Sequence, residues 1–320
     1  SAVFAHIMSA VGLIGLAVFP YIFPSEYIGL IIAVVCYAIG GGLIEVLISP
    51  IVEACPTERK EAAMSLLHSF YCWGQVFVVV FSTLFFSVTG IKNWRVLACI
   101  WALIPLINSF YFSKVPIAVL VDEAEKMPLF EMFKNKLFWL FIILMICSGA
   151  SEHSMSQWAS AFAESGLKVS KTIGDLAGPC LFATFMGISR VFYSKYSEKI
   201  SLHRFMVGSG VLCITGYLLA SLSSNPAVGF IGVGIIGLSV GILWPGTFSI
   251  AAKGIPRGGT AMFALLALAG DLGCSAGPTV VGMVSGAYND DLRKGILYAI
   301  LFPFLLLVGL SLYKKLKVRT

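Results

Sequence analysis

About ten stretches of this sequence are each long and apolar enough to cross a membrane, centred near Gly12, Val35, Val78, Leu103, Leu144, Phe182, Leu212, Ile235, Leu268 and Leu305. An α-helix rises about 1.5 Å per residue, so roughly twenty apolar residues traverse the hydrocarbon core. That decides the solvent. The outer surface of such a chain meets lipid, where an outward Leu or Phe carries no message. A polar residue inside a span does carry one, because it needs a partner or a wet cavity. The composition agrees: 58% of residues are hydrophobic and only 12% charged, where soluble domains hold about 25% charged residues.

The net charge of +6 is spread over short loops, so no dense basic run points to nucleic acid. The eight cysteines occur singly, mostly within spans, and no Cys-x-x-Cys spacing occurs. They read as small core-filling thiols, with neither a metal nor a cofactor implied. The first span begins at Ser1 without a charged leader or cleavage site, which reads as a chain that starts in the middle rather than as a signal peptide.

Lys and Arg between spans set the orientation. Sixteen lie in one set of loops and the C-terminal tail, and six in the other, Lys92, Arg95 and Arg293 among them. The richer side is expected to face the cytoplasm, with the C-terminus on that side of a plasma or inner membrane. The longest loop, residues 114–136, carries Asp122, Glu123, Glu125 and Glu131 beside lysines and reads as a solvated, partly helical linker.

The two halves echo each other at a shift of about 198 to 200 residues. Gly42-Leu43-Ile44-Glu45 lines up with Gly241-Ile242-Leu243-Trp244, Cys55-Pro56 with Ile255-Pro256, Ala63-Met64 with Ala261-Met262, and Gly74 with Gly273. A parallel repeat of about six spans marks one large transporter architecture. With a second half starting near Leu137, the same shift predicts two further spans before Ser1. The spans present would then be helices three to twelve, in a four-plus-six arrangement.

On these residues the chain resembles the major facilitator superfamily of secondary transporters. Its fourth helix, Gly40-Gly41-Gly42-Leu43-Ile44-Glu45 followed by Ser49-Pro50, is similar to that of the fucose-permease-like sugar:proton symporters, which usually have Asn-Pro there. The fifth helix, Leu66-Leu67-His68-Ser69-Phe70 with Gly74, is similar too. The resemblance implies an all-α membrane fold: an N-terminal bundle over 1–113, a cytoplasmic linker over 114–136 and a C-terminal bundle over 137–320. It also implies that Glu45 is one of two proton-coupling carboxylates, the other lying on the absent first helix. Gly187-Ile188-Ser189-Arg190, with Lys195 and Lys199, resembles a degenerate copy of the superfamily's charged loop, which implies that Arg190 is a cytoplasmic latch between helices.

The residues themselves add to this. Glu45 is mid-span, where a charge costs about 2.5 to 3.5 kcal/mol on insertion scales. Gly41, Gly42 and Ser49 keep its face small, which suits a cavity wall or a tight helix contact. Glu152 and His153 sit in a polar run from Ser148 to Trp158 that is expected to be broken or cavity-lining. Glu152 is a second candidate for a titrating carboxylate. His153 could titrate or bridge helices. His68, Tyr71, Cys72 and Gln75 recur at i, i+3, i+4 and i+7, a polar and aromatic face that suits a sugar or polar glue between helices. Asp271 is a third mid-span acid, and Gln157, Trp158 and Trp244 complete the candidate substrate contacts.

The expected function is secondary active transport by alternating access, as proton-coupled uptake of a sugar-like solute by a monomer in the bilayer. Efflux by proton antiport and a non-transporting scaffold on the same fold are the alternatives. The four histidines lie apart, with neither His-Glu-x-x-His nor Gly-x-Ser-x-Gly present, so nothing pairs a base with a nucleophile.

Overall fold

A computed structural model of the protein describes residues 2–118, 120–121, 126–166 and 171–319, and the described residues form helices and loops without a strand. Asp122, Glu123 and Glu125 of the long loop lie outside the described residues. The helices are α1 (Ala2–Ile22), α2 (Glu26–Ala54), α3 (Lys60–Thr89), α4 (Trp94–Phe112), α5 (Leu129–Lys134), α6 (Lys136–Ser156) and the single turn α7 (Ala159–Ala161). They continue as α8 (Lys171–Tyr196), α9 (Leu202–Leu222), α10 (Pro226–Val240), α11 (Leu243–Gly254), α12 (Gly259–Ala287), α13 (Leu292–Tyr298) and α14 (Leu301–Arg319). Among the described residues, ten helical spans are long and apolar enough to cross a membrane, and the expectation of an all-α membrane fold holds. Lipid offers the backbone no hydrogen bonds, which is why these apolar stretches can only be helices.

Polar residues at the span starts supply the missing partners for the first amides. Ser25 accepts from the Ile28 amide, Asn135 from Leu137, Asn225 from Ala227 and Asp291 from Arg293. Helix lengths follow the sequence repeat. α1 and α9 are each 21 residues long, from Ala2 and from Leu202. The spans Glu26–Ala54 and Pro226–Gly254 are each 29 residues long. One difference is local: α2 runs unbroken through Gly42 and Glu45, whereas the matching span breaks at Gly241 and Ile242, between α10 and α11.

The chain forms two compact units. The first is Ser1–Cys55 with Phe81–Leu120, and the second is Pro56–Val80 with Val121–Thr320. In the first, α1 packs antiparallel on α2 through small residues. A Cβ at Gly12 would strike the Tyr37 backbone, one at Gly29 the backbone of Phe19 and Pro20, and one at Gly40 the backbone around Ala5 and Ser9. In the second, α6 is central. It runs parallel to α12 with Gly149 against Gly270 and Cys274, Gly273 against Ile146 and Ala150, and Gly277 against Ala150 and Ser154. Without water to drive helices together, such contacts depend on small residues that let backbones approach and gain dispersion energy. The long loop returns to this unit: the Met127 amide donates to the Arg257 carbonyl at 2.9 Å, and Met132 is fully buried. All eight cysteines are free thiols.

Gly273→Ala should therefore destabilise the protein by about 1–3 kcal/mol through overpacking. Gly41→Ala, whose Cβ meets nothing within 4 Å, should be neutral or stabilising by up to about 1 kcal/mol from helix propensity. Unfolding in detergent, followed by circular dichroism, compares the two. Equal midpoints for Gly273→Ala and wild type would show that α6 and α12 are not held at this distance.

Candidate functional site

The Arg190 guanidinium is the polar centre of the second unit. It lies inside α8, six residues before that helix ends, and is 2% exposed. The expectation of a loop residue is corrected here: its neighbours Lys195 and Lys199 belong to the positive end of the span, but Arg190 points inward. Its Nε donates to the Gly241 carbonyl at 2.8 Å, Nη1 to the His68 carbonyl at 2.7 Å and to Cys72 Sγ at 3.2 Å, and Nη2 to Glu152 Oε2 at 3.1 Å. Its own carbonyl accepts from Ser65 Oγ at 2.7 Å. The Tyr71 ring lies 5.9 Å from the guanidinium carbon.

Each acceptor has a local reason to be there. The α10–α11 break leaves carbonyls outside a continuous helical ladder. Arg190 takes that of Gly241, while Leu243 receives Thr247 Oγ1 at 2.7 Å and Ser148 Oγ of α6 at 3.2 Å. Glu152, at 4% exposure, is the carboxylate of this centre. Removing two charges from water costs several kcal/mol each, and only a mutual bond with further hydrogen bonds offsets that. Both conditions are met at Arg190. The sequence marked Glu152 as a candidate titrating group, and the structure gives it a buried cation as partner.

His68, through its carbonyl, and Cys72, through its thiol, therefore join α3 to α8. The His68 ring also stacks on Phe248 of α11 at 5.9 Å. Tyr71 is half exposed on the same helix. Gln75 Oε1 and His153 Nδ1 are buried and have no hydrogen-bond partner among the described residues. Asp271 lies on the exposed side of α12, within electrostatic reach of His153. Gln157 is exposed at the end of α6, where the helix breaks as its polarity suggested. The two tryptophans are engaged in packing. Trp158 donates its indole N–H to the Pro278 carbonyl at 3.0 Å, and Trp244, 6% exposed, covers Gly270 and meets Phe248 edge-on. Glu45 sits half-buried in α2 of the first unit, and a Cβ at Gly41 or Gly42 would meet open space, so no tight helix contact forms on those two glycines.

A second cluster escaped the sequence reading. At the start of α3, Glu61 pairs with Lys253 of α11 and accepts from Tyr193 Oη of α8 at 2.7 Å, while Arg59 pairs with Glu198 at 2.9 Å and donates to the Ser194 carbonyl at 3.2 Å. Extending the His68–Cys72 stripe back by one helical turn at a time reaches Ser65 and Glu61, and that periodicity was the available signal. The Arg59–Glu198 pair is exposed and contributes at most about 1 kcal/mol.

Arg190→Leu should lower stability by about 3–5 kcal/mol, because Glu152 is left buried without a cation. The double substitution Arg190→Leu/Glu152→Leu should recover part of that loss. Unfolding midpoints of the wild type, both single variants and the double variant measure the coupling. Additive losses would mean that the two side chains do not interact.

A search of curated protein sequences returns no match. Among solved structures, the chain is similar to the E. coli fucose:proton symporter FucP, with a TM-score of 0.78 and 13% identity over 97% of this chain and 82% of that one. It is also similar to the proton:xylose symporter XylE bound to 6-bromo-6-deoxy-D-glucose, at 0.81 and 13% over 98% and 79%. A human organic anion transporter, MFSD10, matches at 0.69 and 13% over 96% and 80%. Likeness at this identity speaks for the fold. The sequence itself matches the model of the Major Facilitator Superfamily over residues 2–278. Ten membrane-crossing helices, a shared fold and that match over most of the chain lead to one conclusion: this multi-pass membrane protein belongs to the Major Facilitator Superfamily of transporters.

Proposed function

We propose that the protein takes up a sugar-like solute together with protons, by alternating access, as a monomer in a plasma or inner membrane. The observation that carries this reading is the Arg190–Glu152 pair, because the same guanidinium also holds the His68 carbonyl of α3. A proton arriving at Glu152 would cancel the charge facing Arg190 and leave it with neutral acceptors only. The grip of α8 on α3 would then weaken. The shift between two states of the carrier is limited to the proton's differential interaction with each. Glu45 is the second proton site in this reading and Asp271 the third.

The cargo contacts follow from unmet hydrogen-bonding capacity. A buried polar atom without a partner costs about 1–3 kcal/mol, so Gln75 Oε1 and His153 Nδ1 favour a ligand rich in hydroxyl groups. Tyr71 and Gln157, both exposed, extend that set. Trp158 contributes ring surface, since its N–H is already used, and Trp244, almost fully covered here, borders the set through its contact with Phe248. Both solved symporters of this fold named above are described as coupling protons to fucose or xylose, which supports the same cargo class here.

Orientation follows from loop charge. The side whose loops and tail are richer in Lys and Arg, even with the buried Arg190 left out, is cytoplasmic, with the C-terminus on it. The Glu61–Lys253 and Arg59–Glu198 pairs then close the cytoplasmic end of α3 against α8 and α11, and Arg190 serves as a latch in the depth of the span rather than in a loop.

Reconstituted into proteoliposomes with an inward proton gradient, the protein should accumulate a labelled monosaccharide. Glu45→Gln should abolish proton-driven accumulation while sparing exchange. Glu152→Gln should reduce accumulation by about tenfold or more, in line with ordinary coupling energies. Export by antiport would appear as acidification in the opposite sense, and a scaffold would give no flux. Unchanged accumulation in both variants would remove these carboxylates from the mechanism.

A further inference from the structure

At one end of the second unit, the start of α6 and the end of α14 lie side by side, and the groove between them has a volume of about 380 Å³. Lys136, Trp139, Leu140, Ile143, Leu312 and Lys315 line it. Lys136 is the first residue of α6, and Lys315 lies near the end of α14. Deeper along the same helix pair, Gly309 is packed against Leu144. The groove therefore has aliphatic walls and two lysines in its lining, each near the outer end of its helix. Among the described residues neither lysine pairs with a carboxylate. Trp139 is half exposed, and its indole N–H donates to the Phe133 carbonyl at 2.8 Å, which fixes the ring at the entrance to the span.

This combination matches one class of ligand. An apolar wall alone would accept any lipid tail. Two unpaired cations at the level where the helices leave the hydrocarbon select a negative head, and a tryptophan belongs at that interfacial depth. The backbone at the start of α6 adds positive partial charge beside Lys136. We propose that this groove is a binding site for a phospholipid with an anionic headgroup, its phosphate between Lys136 and Lys315 and one acyl chain along Leu140, Ile143 and Leu312. The site lies on the outer wall of the unit and is separate from the Arg190 centre. Its charge preference does not depend on the proposed cargo or on the direction of transport.

Trp139 provides the readout. The protein is reconstituted into phosphatidylcholine vesicles containing a minor fraction of dibrominated phosphatidylglycerol or, in parallel, dibrominated phosphatidylcholine. Bromine quenches tryptophan only at contact. The anionic lipid should quench more at equal fraction, and Trp139→Phe should remove the excess. Each lysine near the bilayer surface should enrich the anionic lipid roughly fivefold over bulk, so Lys136→Gln/Lys315→Gln should abolish the excess and Lys136→Arg/Lys315→Arg should retain it. Equal quenching by both lipids in the wild type would overturn the proposal. So would an excess that survives the double glutamine substitution, or one that is lost in the double arginine variant while that protein remains monodisperse. The single variants Lys136→Gln and Lys315→Gln, each expected to keep part of the excess, serve if the double variant fails to fold.

Discussion

A guanidinium buried among membrane helices has five N–H groups to satisfy and no water to satisfy them. Arg190 finds four acceptors on three elements: the Glu152 carboxylate of α6, the His68 carbonyl and Cys72 thiol of α3, and the Gly241 carbonyl where α10 gives way to α11. None of these alone would offset the desolvation of a full charge. Together they make the position of each helix a condition for the others. If α3 moves, a donor loses its acceptor; if the Gly241 break closes into regular helix, the carbonyl is reclaimed by its own ladder. A neutral side chain at position 190 would fill the space but could not impose that mutual dependence.

The close approach that lets one side chain reach three neighbouring elements comes from small residues. Gly149, Gly273 and Gly277 bring α6 against α12, and Gly237 and Gly241 bring α10 against α8, in each case with a neighbouring backbone where a Cβ would stand. In lipid the hydrophobic effect does not distinguish a buried leucine from an exposed one, so these contacts are made by dispersion and geometry. Polar residues then tie the backbones: Ser148 reaches the Leu243 carbonyl, Tyr217 Oη the Ser151 carbonyl at 2.8 Å, and Ser65 the Arg190 carbonyl. The helix breaks and the polar residues therefore occur in the same places. A break in lipid is stable only where a side chain can serve it.

That logic explains what was legible in the sequence. Span length and hydropathy are set by bilayer thickness, so the ten helices could be read directly, and their repeat at about 200 residues reappears in the boundaries of α1 and α9. Glu152 stood out because an acid among apolar residues demands a reason. Its partner did not, because Arg190 sits near Lys195 and Lys199 and shared in their positive-inside signal. The pairing spans 38 positions and two helices, a separation that no local periodicity reports. The contacts of the tryptophans were not legible either: Trp158 is bonded to α12 and Trp244 shields Gly270, pairings that lie far apart in sequence. Glu61 was hidden as an ordinary first-turn acid, since only a contact with α8 and α11 gives it meaning.

An arrangement of this kind also constrains how such a protein could couple events at different depths. A coupling energy needs a group whose interactions differ between states, not merely a charged one. Glu152 meets that condition because its partner Arg190 is simultaneously committed to α3 and to the α10–α11 break. Any change in the charge of the carboxylate is passed on as a change in how firmly those two backbones are held. Glu61 does the same at the start of α3 with different chemistry: one carboxylate shared between Lys253 and Tyr193, on α11 and α8. Glu61 ties α3 directly to α8 and α11, whereas Glu152 acts from α6 through Arg190, which holds α3 and the broken span. A rigid helix held at two points by ionisable groups can be released at both only if neither pair is too strong on its own, which argues for shared, mixed-acceptor bonding over a single isolated salt bridge.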